Sequence, residues 1–353
     1  MKLIDKIVLE DVKKISDCTN SLGLRNKSVL LTGANGLIGS YLAYFFSYLN
    51  EELNYKTKVH LVTKSEITEN SRIYALLNAN NFLITNKDLS EPNVYNEKYD
   101  FIVHAAGYAA PAAFLENPVR TIDVNYIGIK SILESAVKTS PHARILYLSS
   151  SEIYGSPTPE SFPTPETYEG SSSITNNRAC YIESKRLSEV LCLSYMQKYG
   201  LNIRIARPAL SYGPGLSFDD ERVISQFMKK AHLEKVINMV DDGRDLRSFC
   251  YMSDVLRQLL NILLFSKDAI YNVGSQEEEV TIKELALLIG ELMGTMVVSG
   301  PGKDPSVIGA PSRVCLSMKK MENEFGFKPQ VALREGLKRT IEWNLAREKS
   351  TNS

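Results

Sequence analysis

The stretch Ser28-Val-Leu-Leu-Thr32-Gly33-Ala-Asn35-Gly36-Leu37-Ile38-Gly39 constrains this chain more than any other. A short apolar run with no polar alternation reads as a strand buried on both faces. It ends in three glycines spaced by three, and a run that reads as a helix follows from Leu37 to Leu49. Each glycine does something a larger residue cannot. The first permits a tight turn, the second lets backbone N–H groups reach a pyrophosphate, and the third allows close helix–strand packing. The helix N-terminus adds the positive end of its dipole. A lone glycine pattern is weak, but in this strand–loop–helix context it points to a bound dinucleotide. Gly33, Asn35, Gly36, Leu37, Ile38 and Gly39 are then the cofactor contacts.

Further apolar runs read as strands at Val59–Thr63, Asn81–Thr85, Phe101–His104, Arg144–Ser149, Ile203–Ala206 and Ala269–Val273. Helical stretches separate most of them, notably Val119–Thr139 and Cys180–Tyr199. Strand, crossover helix and strand in repetition predict an α/β fold, a doubly wound parallel sheet of the Rossmann kind. Ahead of it, Leu3, Ile7, Val8, Val12 and Ile15 fall at helical spacing, so residues 1–26 read as a helical extension. Pro157, Pro159, Pro163, Pro165 and a Gly-Ser-Ser-Ser run make 155–175 a long loop. Residues 209–247 read as irregular and polar, and the chain turns helical after Gly274. Residues 27–208, rejoined by 248–275, are thus the dinucleotide-binding domain. Residues 209–247 and 276–345 form a smaller mixed α/β C-terminal lobe that takes the substrate, and 346–353 are a tail.

Composition excludes several classes. The 353 residues are 44% apolar and 23% charged, as in a soluble globular protein. Lys+Arg and Asp+Glu both total 41, so no global field draws nucleic acid or an anionic membrane. No run approaches the ~20 apolar residues of a membrane span. The N-terminus alternates charge with Ile and Val, which argues against a secretory signal. Cys18, Cys180, Cys192, Cys250 and Cys315 form no CxxC and read as reduced thiols of a cytoplasmic protein. Four scattered histidines, none paired at i,i+4, give no expected metal site.

Tyr181 and Lys185 lie one turn apart on a predicted helix and therefore on one face. A phenol titrates near pH 10 unless a cation favours its anion, and Lys185 is placed to supply that charge and to hold a nicotinamide ribose. Ser149-Ser150-Ser151-Glu152 follows a predicted strand end, where open α/β sheets put their ligands. There Ser150 can hydrogen-bond a reacting oxygen and Glu152 can act as a second acid/base. At the adenosine end, the second strand closes Thr63-Lys64-Ser65 without the acid that grips ribose hydroxyls. Lys64 instead suits a 2′-phosphate or solvent, so NADP stays open beside NAD. Asp88-Leu89 after the third strand fits an adenine contact.

These motifs, together with Tyr212-Gly-Pro, resemble an extended short-chain dehydrogenase/reductase, in the NAD-dependent epimerase/dehydratase family. The resemblance runs from about residue 26 to the mid-340s with the motifs in the family's order. Arg178-Ala-Cys-Tyr181, Asp220-Glu-Arg222-Val-Ile and Arg247-Ser-Phe-Cys-Tyr251 look most like the UDP-glucuronate decarboxylase type of nucleotide-sugar enzyme. The resemblance implies that Tyr181 takes the C4 hydroxyl proton, with Lys185 as its electrostatic partner, Ser150 sharing the oxygen and Glu152 beside C5. It places Asn125, Ala105 and Ala106 at the cofactor. It assigns Arg178, Arg222, Arg247, Asn272 and Arg313 to the substrate, with Arg247 and Arg313 clamping its diphosphate. It also implies a homodimer built from helices 119–139 and 180–199.

The chain departs from the family in two further places. Ser151 stands where dehydratases carry an aspartate that protonates the leaving C6 hydroxyl. Arg207-Pro208-Ala209-Leu210 lacks the asparagine of the family's Arg-x-x-Asn. The reaction expected is oxidation of C4 to a transient 4-ketone, followed by decarboxylation of a UDP-glucuronate-like substrate. The alternatives are a 4,6-dehydratase or 4-epimerase, a cofactor-consuming 4-ketosugar reductase, and a non-catalytic dinucleotide sensor.

Overall fold

The structure is a computed structural model that describes residues 3–170, 172–302 and 310–351. The remaining positions of the expected N-terminal extension, the 155–175 loop, the C-terminal lobe and the tail lie outside the described residues. The first half of the chain runs α1 (Leu3–Cys18), β1 (Ser28–Thr32), α2 (Leu37–Glu51), β2 (Lys58–Thr63), β3 (Phe82–Asn86) and β4 (Phe101–His104). It continues through α3 (Pro111–Glu116), α4 (Pro118–Thr139), β5 (Arg144–Leu148), α5 (Ala179–Tyr199) and β6 (Asn202–Pro208). Then come β7 (Leu210–Tyr212), α6 (Val223–Leu233), β8 (Val236–Asn238), β9 (Leu246–Tyr251), α7 (Met252–Phe265) and β10 (Ile270–Val273). The last elements are β11 (Glu279–Thr281), α8 (Ile282–Met293), β12 (Met296–Val298), β13 (Arg313–Val314), α9 (Lys319–Phe325) and α10 (Leu333–Thr351).

Seven strands pair in the order β10-β6-β5-β4-β1-β2-β3, every neighbouring pair parallel. The chain winds outward from β1 to β3, then returns to place β4 on the other side of β1. That reversal opens the crevice above the carboxyl ends of β1 and β4, where doubly wound sheets bind ligands. Val29, Leu30 and Leu31 are wholly buried, as a strand covered on both faces requires, whereas the edge strand β3 is only partly covered. Each sequence-predicted strand and helix of this sheet is present, with ends displaced by one or two residues.

A four-stranded sheet makes the core of the second lobe: β9 pairs β7 and β13 in parallel and β11 antiparallel. The expected return of 248–275 to the first domain is therefore divided. Residues 248–251 lie in β9 of the second sheet, while β10 adds to the first beside β6. The stretch 209–247 is also more regular than its polar composition suggested, for it holds β7, α6 and β8. Ile224, Phe227, Met228 and Ala231 of α6 are buried at helical spacing between polar residues. A reciprocal capping box between Thr281 and Glu284 starts α8.

Helix α1 packs on α2, α7 and α10. Its buried Asp11 accepts hydrogen bonds from Tyr41 (3.2 Å), Tyr251 (2.6 Å) and Arg339 (2.9 Å), tying the two ends of the chain to β9. Among the described residues, no helix is long and apolar enough to cross a membrane.

Candidate active site

The glycine loop joins β1 to α2 at the crevice. Gly33 has φ +71°, and a Cβ there would stand 2.7 Å from the backbone of Ala105 and Ala106 at the end of β4. A Cβ on Gly39 would stand 2.1 Å from the Gly33 carbonyl oxygen, so the helix lies against the strand as the third glycine of such a loop requires. No side chain caps α2 at Gly36, which leaves its first-turn N–H groups facing the crevice for an anion. Leu37 is buried and Ile38 is half-buried. The Asn35 side-chain oxygen is engaged differently, accepting the Arg72 backbone N–H at 2.8 Å.

At the ends of β2 and β3, Lys64 donates to the Tyr108 hydroxyl at 3.2 Å, and Tyr108 in turn interacts with Arg120. Arg120 is ion-paired to Asp88. Hydrogen bonds from Ser90, then the Arg120 charge, hold the Asp88 carboxyl below its ordinary range. Leu89 is buried beneath this cluster. Nothing in the sequence marked Tyr108 or Arg120, because both reach it from different elements.

Tyr181 and Lys185 project from the first turns of α5 toward the end of β5. The Tyr181 ring stacks on Phe114 with centroids 4.7 Å apart and planes 8° from parallel. Lys185 Nζ donates to the Leu148 carbonyl at 2.8 Å and sits 5.0 Å from the Tyr147 ring centroid. Burial lowers its ammonium to about 8, partly opposed by Glu189 one turn on. Burial pushes the Tyr181 phenol up to about 12, with a hydrogen bond from Ser150 acting in the opposite direction. The expected lowering of the phenol by Lys185 is therefore not what this arrangement gives. Desolvation raises the phenol, and the Lys185 ammonium is directed at the Leu148 carbonyl.

Ser150 caps a 3₁₀ turn over Ser151–Tyr154 and accepts the Glu152 N–H at 3.2 Å. That turn brings Ser150 and Glu152 to Tyr181. Arg178, buried just before α5, forks onto the Glu152 carboxylate and lies over the Phe114 ring. The charges of Arg178 and Glu152 both act on Arg247, which is buried and bonded to Asp245 at 3.0 Å. Glu152 and Arg178 line a cavity of about 370 Å³ with Ile182, Pro311 and the hydroxyl- and amide-bearing Ser156, Ser172, Ser173 and Asn176. Asn125 is buried, donates to Ser184 Oγ at 2.9 Å, and leaves its Oδ1 unpartnered against Gly107.

Other expected contacts sit farther out or are already engaged. Arg222 forks onto Asp220 with both bonds at 2.7 Å. Arg313 forks onto Glu279 and covers the Phe162 ring. Asn272 is wholly buried and accepts from Tyr154 at 2.7 Å while donating to the Thr164 and Ser317 carbonyls. Its amide is thus a structural tie between the strand β10 and the long loop, with no group turned toward the cavity. The same network holds Arg207, paired to Glu189 and donating to the Tyr154 hydroxyl at 2.9 Å.

The uncapped α2 terminus, the backbone approach at Gly33 and the unpartnered Asn125 oxygen fit a dinucleotide laid across the crevice. Residues 29–274 match the family described as the NAD dependent epimerase/dehydratase family. UDP-glucuronic acid decarboxylase 3 of Arabidopsis thaliana is 33% identical over 317 residues, covering 88% of this chain and 87% of the relative. UDP-glucuronic acid decarboxylase 1 of Danio rerio is 32% identical, covering 90% and 72%. Among solved structures, DesIV of Streptomyces venezuelae, a dTDP-glucose 4,6-dehydratase solved with NAD bound, superposes with TM-score 0.77 at 24% identity, covering 92% of this chain and 98% of that one. The UDP-glucose 4-epimerase of Thermotoga maritima gives 0.74 at 24%, covering 92% and 100%. With this fold, this crevice and these relatives, the chain belongs to the NAD dependent epimerase/dehydratase family and is an NAD-dependent nucleotide-sugar enzyme.

Proposed function

We propose that this enzyme oxidises C4 of a nucleotide-linked sugar to a transient 4-ketone and releases CO2 from a C5 carboxylate, the substrate being UDP-glucuronate or a close analogue. One observation carries the reading: Tyr181, Ser150 and the Glu152–Arg178 pair converge beside a hydroxyl- and amide-lined cavity at the end of β5. Relatives bearing the decarboxylase name over most of this chain support the same direction.

Oxidised NAD, when bound, supplies the hydride acceptor and a positive charge that favours the Tyr181 phenolate. Tyr181 takes the C4 hydroxyl proton, and Ser150 hydrogen-bonds the same oxygen as it becomes a carbonyl. Lys185 and Asn125 orient the cofactor's ribose and nicotinamide end. The 4-ketone accepts the electron pair released when the C5–carboxylate bond breaks. Glu152, fixed by Arg178, then delivers or relays the proton that restores C5, and Tyr181 returns its proton to the C4 oxygen as the hydride goes back to C4, so no net redox occurs. Arg247 and Arg313 clamp the diphosphate, which then replaces the Asp245 and Glu279 carboxylates as their partner, and Arg222 serves the substrate from its pair with Asp220. Ser151 provides no carboxyl to protonate a leaving C6 hydroxyl, which favours decarboxylation over dehydration.

The remaining cofactor contacts in this reading are Gly33, Gly36 and Gly39 at the pyrophosphate and the Lys64–Asp88 cluster at adenosine. The sheet formed within 27–208 carries them, and the second lobe carries the nucleotide sugar. The five free cysteines suit a reducing cytoplasm, and we infer a homodimer through α4 and α5.

The test is a product assay with UDP-, dTDP-, GDP- and CDP-linked sugars followed by mass spectrometry. Loss of CO2 from UDP-glucuronate, and loss of at least ~10²-fold in turnover on Tyr181→Phe with NAD affinity kept, are the expected results. A 4-keto-6-deoxy product from a hexose substrate would replace the decarboxylase reading with a dehydratase.

A further inference from the structure

Arg72 lies in the connection between β2 and β3, outside every motif of the glycine loop or the catalytic turn. It is anchored on the cofactor side. Its backbone N–H donates to Asn35 Oδ1 at 2.8 Å, its Nη1 donates to the Asn35 carbonyl at 3.0 Å, and its own carbonyl accepts from Tyr44 of α2 at 3.1 Å. From that anchor the guanidinium reaches across the crevice. Nε donates to the Gly215 carbonyl at 2.6 Å, in the arm that runs from β7 to α6. Nη2 stands 4.0 Å from Asp220, whose carboxylate forks onto Arg222 at the start of α6.

The two sides also meet directly. Gly215 has φ +96°, and a Cβ there would stand 3.1 Å from Leu37 Cδ1, the first residue of α2. The arm therefore rests on the same helix terminus that receives the pyrophosphate. A guanidinium is a rigid fork with divergent donors, so it holds two carbonyls of separate segments at fixed distance; an ammonium on a flexible stem does not.

We propose that Arg72 is a positioning residue that ties the dinucleotide loop to the arm carrying Arg222, so that cofactor binding orders the arm that receives the substrate. Any movement of Asn35 on cofactor binding is passed through Arg72 to Gly215 and Asp220, and then to Arg222. This goes beyond the reaction assigned above. It rests on the family's cofactor site alone and holds whichever sugar is the substrate.

The experiment is hydrogen exchange on the full-length protein with and without NAD+, read at residues 33–40 and 213–226. In the wild type, NAD+ slows exchange of both segments, the second by about fivefold or more. In Arg72→Ala, NAD+ still protects 33–40 but no longer protects 213–226. Arg72→Lys keeps the cation near Asp220 and loses the bridge between the Asn35 and Gly215 carbonyls, so it loses most of the second effect. It carries the comparison if the alanine variant folds or binds NAD+ poorly. Equal protection of 213–226 in wild type and both variants, or no protection of it in wild type, overturns the proposal. Because only NAD+ is used, a wrong sugar assignment leaves this outcome unchanged.

Discussion

Arg178 donates from Nε to Glu152 Oε2 at 3.2 Å and closes a second bond to Oε1, while its guanidinium lies over the Phe114 ring. The arginine side chain is 4% exposed and the carboxylate 26%, so the pair is fixed from the protein side and open to the cavity on the other. A carboxylate held this way has one face left for a substrate atom.

That geometry predicts a separation of steps in Glu152→Gln. Tyr181 and Ser150 are untouched, so C4 oxidation proceeds and reduced cofactor accumulates when substrate is added. Product formation falls ~10²–10⁴-fold, the usual contribution of one general acid/base. Stopped-flow absorbance of the reduced cofactor beside product analysis reads both. Full turnover in the variant would remove Glu152 from the C5 chemistry.

The parts of this site visible in the sequence are the local ones. The glycine loop is a contiguous strand–turn–helix, and Tyr181 with Lys185 is a single helical turn, so spacing alone exposes them. The Arg178–Glu152 fork spans 26 residues and the Arg207–Glu189 pair 18, and which carboxylate meets which guanidinium depends on how α5 lies on β5 and β6. The phenol's titration depends on the packed fold for the same reason. Helical spacing shows that Lys185 is near, but the depth of burial around Tyr181 is a property of the packed fold. Helix α6 is hard to read from sequence because its four buried apolar positions are diluted by polar neighbours across a stretch rich in charge.

Lys185 gives a pH-dependent stability with a definite sign. Burial lowers its ammonium to about 8 from an ordinary 10.5. Below pH 8 the fold holds a buried charge that the unfolded chain leaves in water, so the residue costs stability there. Between pH 8 and 10.5 the folded protein releases this proton before the unfolded chain does, and stability from this site rises with pH. The gap corresponds to about 3 kcal/mol. Losing the hydrogen bond to Leu148 costs about 1 kcal/mol. Lys185→Met is therefore expected to be inactive yet more stable than wild type by about 2 kcal/mol at pH 7, with the advantage shrinking toward pH 10. Urea denaturation at the two pH values checks it; a variant less stable than wild type at pH 7 contradicts it.

Two glycines separate cofactor binding from simple backbone cost. A Cβ on Gly39 meets the Gly33 carbonyl at 2.1 Å, so Gly39→Ala forces the pyrophosphate loop to move. NAD+ affinity should fall tenfold or more, equivalent to about 1.4 kcal/mol. Gly200 ends α5 at φ +69° with nothing within 4 Å of its Cβ position. Gly200→Ala should cost about 1 kcal/mol of stability and leave NAD+ affinity unchanged. Titration calorimetry with denaturation on both variants distinguishes the two effects.

Helices α4 and α5 pack on each other and turn apolar side chains outward: Val119 and Ile122 from the first, Leu187, Val190 and Leu193 from the second, all exposed. Two adjacent helices with unpartnered apolar residues can bury them against a second copy about a two-fold axis, where each patch meets its own equivalent. Light scattering should therefore give twice the 39.5 kDa chain mass. Val190→Glu puts a carboxylate on that surface and, by symmetry, another facing it. Desolvating two like charges is unfavourable, so the variant should run at the single-chain mass with its circular dichroism unchanged. Because Val190 points away from Tyr181 and the crevice, NAD+ affinity should persist in the separated chains. A wild-type protein that runs at the single-chain mass at micromolar concentration would leave these helices as an ordinary surface.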